Sequence, residues 1–141
     1  MRGILALVVI LGGCAVVQDP APESAPAPVP APAIENAAIA SLMDGARSDV
    51  AAGRLANAAA SLERALRIEP RNPRLWQELA RVRLMQGEYA QAESVAARSN
   101  SWAGGDNRLR AENWRLIAQA REARGDAAGA RTALEAAERQ R

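Results

Sequence analysis

The chain has 141 residues with 18 basic and 16 acidic groups, one Cys and no His, which is enough for one compact domain once non-globular parts are set aside. The missing His excludes Ser-His-Asp and Cys-His catalytic sets and the usual zinc sites, and a single Cys excludes an intrachain disulfide. Every basic residue is Arg, interspersed with the acids, so no basic block points to nucleic acid. With no Phe, one Tyr and three Trp, a core has to be built from Ala, Leu and a few large anchors, and abundant Ala favours closely packed helices. No carboxylate pair stands out as a catalytic centre, so an enzyme, a metal site and a cofactor site are not expected.

Taken in chain order, Met1-Arg2 supplies one positive charge, Gly3 to Leu11 is continuously apolar or Gly, and Gly12-Gly13-Cys14 follows. A charged start, a short apolar run and small residues before a cleavage point describe an export signal. The apolar stretch, ending at Val17, falls short of the roughly 20 residues needed to span a bilayer. Leu11-Gly12-Gly13-Cys14 resembles the lipobox of bacterial lipoproteins. That resemblance implies removal of a signal peptide at 1–13, diacylglycerol on the Cys14 thiol and acylation of the new amino terminus. Several acyl chains anchor firmly, because each buried CH₂ contributes about 0.8 kcal/mol. In this family an Asp after the lipidated Cys is associated with the inner membrane; Ala15 stands there instead, which implies the periplasmic face of the outer membrane.

Residues 14–34 are expected to be a disordered tether. From Pro20 to Ala33 the sequence reads PAPESAPAPVPAPA, with six prolines. Each Pro lacks a donor and restrains its neighbour to extended geometry. Such a segment is a semi-rigid spacer of about 3.1 Å per residue, so the tether reaches roughly 60 Å.

Residues 35–141 contain a repeat. Leu42, Trp76 and Trp114 each precede a small residue four positions later, Ala46, Ala80 and Ala118. Gly53, Gly87 and Gly125 follow, then Ala58, Ala92 and Ala130, then Leu62, Ala96 and Leu134, then Ala65, Ser99 and Ala137. The period is 34 residues in the first step and 38 in the second. Each unit predicts two helices joined by a Gly turn, because Gly accepts the left-handed backbone that ends a helix. The small residues allow close antiparallel approach, while Leu and Trp, including Leu79, fill the gaps between pairs. Pro70 and Pro73 stop one helix and open the next.

These residues resemble the tetratricopeptide repeat, most clearly over 39–106, where LWQELARVRLMQGEYAQAE stands. The resemblance implies an all-α solenoid of three helical hairpins, at about 39–72, 73–106 and 111–141. It departs from the family at Gly45, where Leu is usual, and at SNSWAGGDNRLR, which replaces a short Pro turn and is expected to hold the four extra residues as loop, with Trp102 packed over the end of the second unit. Stacked units need their neighbours. Leu116, Ile117 and Leu134 are therefore expected to be partly buried in the last unit, and helix 35–51 to cover the first.

In such a solenoid the first helix of each unit lines the concave face. The family register places there Met43, Arg47 and Val50, then Arg74, Gln77, Arg81 and Met85, then Glu112, Arg115 and Gln119. That predicts a groove with a polar, basic bias and adaptable Met side chains, suited to carboxylates of a partner. Anchor, spacer and repeat domain make a layout that reaches and binds. The layout resembles the small outer-membrane lipoproteins that activate bifunctional class A penicillin-binding proteins, the peptidoglycan synthases. This implies a membrane-anchored, periplasmic protein-binding scaffold with such a synthase as its partner. A pilotin-like lipoprotein for pilus or secretin assembly and a general envelope-assembly scaffold are the alternatives of the same class.

Overall fold

A computed structural model describes residues 31–141 of the chain. The expected signal peptide, Cys14 and most of the spacer fall outside the described residues. Within them the chain is all-α: α1 (Ala31–Ala51), α2 (Leu55–Ile68), α3 (Pro73–Met85), α4 (Tyr89–Trp102), α5 (Asn107–Ala123) and α6 (Ala127–Glu138). Successive helices pair as three antiparallel hairpins, α1 with α2, α3 with α4 and α5 with α6, and each hairpin stacks on the next through α2–α3 and α4–α5.

The three hairpin turns are built alike. Gly53, Gly87 and Gly125 take φ of 71°, 77° and 82°, a region where an L side chain is strained. The residue after each Gly then donates its N–H back across the turn: Arg54 to the Asp49 carbonyl, Glu88 to Arg83 and Asp126 to Arg121, at 2.8, 3.0 and 2.9 Å. This bond satisfies carbonyls that the helix end would otherwise leave open. At the same two positions the first turn pairs Asp49 with Arg54 at 2.7 Å and the second pairs Arg83 with Glu88 at 2.8 Å, with the charges exchanged.

The loops between hairpins are closed by side-chain caps. Asn72 accepts from the Arg74 and Leu75 N–H groups, with Pro73 opening α3. Asp106 accepts from Leu109 N–H at 2.9 Å and so starts α5. Such a cap contributes about 1 kcal/mol.

Three sequence expectations about boundaries and burial are corrected. Helix α1 begins at Ala31, inside the segment 14–34 assigned to the tether. Pro32 does not prevent this, because the N–H groups of the first turn have no helical acceptor in any case. The second correction concerns the longer period of the last step. The loop from Ala103 to Asp106 has the same length as that from Glu69 to Asn72, and the additional residues form an extra turn that starts α5 at Asn107 instead of 111. Leu109 in that turn is buried, which explains why it is helical. The third is Leu134, which is 48% exposed whereas its repeat equivalent Leu62 is 2% exposed. Leu62 packs in a cluster with Leu75, Leu79 and Val82 of α3. No described helix covers the outer face of α6, so Leu134 has nothing to pack on.

The small-residue positions are buried as the repeat requires: Ala46, Ala58, Ala65, Ala80, Ala92, Ala96, Ala118, Ala130 and Ala137 are all in the core. Leu116 and Ile117 are buried more fully than expected. Leu42, Trp76 and Trp114 are half-buried at the margins of the two apolar clusters. Trp102 at the end of the second unit is 40% exposed, with the Arg71 guanidinium over its ring.

Candidate protein-binding surface

The first helices α1, α3 and α5 carry residues three and four apart on one inner face, as helical periodicity demands. The structure divides this face into two unlike halves. Between α1 and α3 lies a cleft of about 280 Å³, walled by Met43, Ala46 and Val50 on one side and Val82 and Met85 on the other, with Leu62 of α2 at its floor. Arg47, Glu78 and Arg81 stand at its rim. Met85 is 49% exposed, an apolar side chain left at the mouth. Among the described residues Arg47 is tied only to Asp44, one turn away, through an exposed pair at 2.8 Å, which holds it weakly.

Between α3 and α5 the face is filled with polar partners. Arg81 reaches Glu112 at 3.3 Å, Gln77 donates to the same carboxylate at 3.3 Å, and Arg108 approaches its other oxygen at 3.3 Å. Arg74 pairs with Asp106 at 3.4 Å. The expected basic bias of the groove is therefore corrected. Arg81 faces a carboxylate of the next hairpin, Arg74 makes a looser, exposed pair with Asp106, and Gln77, only 4% exposed, is a packing residue and not a surface contact. Arg115 and Gln119 lie farther along α5 and line neither depression.

Gln77 belongs to a buried network that sequence reasoning missed. Its amide donates to Asn113 Oδ1 at 3.1 Å, and Asn113 Nδ2 donates to Ser99 Oγ at 2.7 Å and Asn100 Oδ1 at 2.9 Å. Ser99 Oγ in turn donates to the Pro73 carbonyl at 2.7 Å. Asn113 and Ser99 are fully buried, so each bond replaces water that cannot reach them. The signal was present as Ser99 in the register of Ala65 and Ala137, and as Asn113 beside the apolar Trp114. A second missed element is Arg121, which donates to Glu93 at 2.8 and 2.6 Å and to the Gly129 carbonyl at 3.2 Å, clasping the last two hairpins.

A tetratricopeptide-repeat family model matches residues 49–112. No curated protein sequence matches the chain significantly. Among solved structures, the globular C-terminal domain of P. aeruginosa LpoP is 50% identical in sequence and superposes with a TM-score of 0.70. The match covers 71% of this chain and 94% of that domain. The chain belongs to the LpoP family. Its repeat region is thus an LpoP-type domain of three tetratricopeptide hairpins, and the two unlike halves of the concave face are features of an LpoP-family member.

Proposed function

We propose that the protein is an outer-membrane lipoprotein that faces the periplasm and activates a class A penicillin-binding protein by docking on it. The repeat domain does no chemistry itself. It is carried on a lipid at Cys14 and a Pro-rich spacer, and it grips the synthase through the cleft between α1 and α3. The membership in the LpoP family is the observation that carries this reading. The cleft supports it: it is already open, apolar and lined at its mouth by Met side chains, which adapt to a partner without a large reorganisation cost. The polar α3–α5 half is a fixed rim that would orient the partner.

The test pairs the purified synthase with this protein. The protein is expected to raise the rate of glycan polymerisation, and Met85→Asp, at an exposed position on the cleft mouth, is expected to weaken binding about tenfold without a change in the unfolding midpoint. A photocrosslinker at Met43 that captures a secretin subunit in cells instead of the synthase would overturn the reading. Replacing Cys14 by Ala is expected to release the protein from the membrane fraction; a protein that stays bound would remove the anchor.

A further inference from the structure

On the outer edge of the molecule, away from the cleft, two Arg–Trp stacks run together. The Arg71 guanidinium lies over the Trp102 ring at 5.2 Å from its centroid, and Arg98 lies over Trp76 at 5.1 Å. Arg98 and Trp102 are one turn apart on α4 and so are neighbours on its surface. The four side chains therefore form one continuous strip across the α2–α3 loop and the end of α4. The Trp76 Nε1–H donates to the Pro70 carbonyl at 2.8 Å, tying the strip to the loop. Arg67 joins Pro70 and Trp76 around an adjoining depression, whose Glu63 is already paired with Arg83. Ile68, 37% exposed, stands beside it.

The charges here are not spent within the domain. Among the described residues, Arg67, Arg71 and Arg98 have no carboxylate within 4.0 Å. At the edge where the Gly turns lie, Arg54, Arg121 and Arg124 are ion-paired. Contact with an indole face restrains a guanidinium without using up the donors with which it binds carboxylates. A fork held in place loses little freedom when it meets a carboxylate, and it binds one through two parallel hydrogen bonds. Exposed Trp and Arg side by side, with Ile68 adjoining, have the composition of a protein interface more than that of a membrane-resting face, in which apolar anchors project past the charges.

We propose that this strip is a second docking surface, one that receives an acidic, Asp- or Glu-bearing segment of a protein partner. It goes beyond the cleft and does not depend on it, since the strip lies on α4, the α2–α3 loop and the first turn of α3, and shares no lining residue with the cleft. Both surfaces are free to be occupied together.

The test uses the chain from residue 14 onward with Cys14→Ser, so that no acyl group contributes. The probe is a fluorescein-labelled peptide of alternating Glu and Ala, followed by anisotropy, beside its Lys counterpart and phosphatidylglycerol vesicles. The Glu peptide is expected to bind, the Lys peptide not, and binding is expected to weaken with added salt. Arg71→Gln with Arg98→Gln should reduce affinity about tenfold, while Arg54→Gln at a Gly turn and Met85→Asp at the cleft mouth leave it unchanged. If the double variant is poorly folded, Arg67→Gln, an exposed side chain outside the stacks, should still lower affinity severalfold. Equal binding of both peptides, or an affinity untouched by the strip variants, would overturn the proposal. So would vesicle binding that the Glu peptide fails to displace, which would assign the strip to lipid. Synthase binding that the cleft variant leaves unchanged, with intact peptide binding at the strip, would leave this proposal standing and sink the cleft.

Discussion

The two seams between hairpins differ in kind. At the first, α2 packs on α3 through Leu62, Leu66, Leu75, Leu79 and Val82, while α1 and α3 stand apart around an apolar cleft. At the second, α3 and α5 meet directly and their junction is threaded by Gln77, Asn113, Ser99 and Glu112. Apolar packing is non-directional and tolerates a gap at its edge. A buried hydrogen-bond network has to be completed and therefore fixes one register. The difference teaches that one solenoid holds an adaptable half and a rigid half, and that the adaptable half is where a partner has room to enter.

Substitutions can break or sharpen this contrast. The largest effect is expected from Leu62→Ala, which removes the floor of the first seam and should cost about 3 kcal/mol in urea unfolding. The same change at the equivalent Leu134 should cost less than about 0.5 kcal/mol, because that side chain is exposed. Equal losses would mean that α6 is covered in solution. Next comes Asn113→Ala. It takes one hydrogen bond each from Gln77, Ser99 and Asn100, while Gln77 keeps Glu112 and Ser99 keeps the Pro73 carbonyl, and should destabilise by about 1–3 kcal/mol. Hydrogen exchange should then quicken in α5 and α6 before α1 and α2; the reverse order would contradict a rigid second seam. Arg121→Ala opens the clasp to Glu93, a partly buried pair, for roughly 1 kcal/mol. The smallest change is a gain. Gly45 sits in the interior of α1 with nothing within 4 Å of an added Cβ, so Gly45→Ala should stabilise by about 0.5–1 kcal/mol and raise the unfolding midpoint by a few degrees. If that variant also weakens partner binding, the looseness of α1 serves the cleft.

Much of the fold was legible because its determinants are local or periodic. The spacing of Ala58, Ala92 and Ala130 behind Gly53, Gly87 and Gly125 specifies a hairpin each time, since only small residues let two helices approach and only Gly turns the chain without strain. Pro73 and Gly125 place helix ends for reasons that act within one turn. Less was legible at the edges. The extra turn of α5 looked like loop because Gly104-Gly105 and Asn107 punctuate it, whereas Asp106 caps the helix and Leu109 has a core to enter. The concave residues were identified by register, yet register alone says nothing about which charges find partners across a seam.

The sequence by itself determined the three hairpins and their turns, because helix periodicity and glycine conformation operate over a few neighbouring residues. Only the tertiary structure decided that Arg74, Arg81 and Gln77 are engaged with the next hairpin, that Met43 and Met85 face an open cleft, and that Arg71 and Arg98 rest on Trp rings. Those outcomes depend on distances between helices far apart in the chain, and Coulomb and hydrogen-bond energies change steeply over such distances.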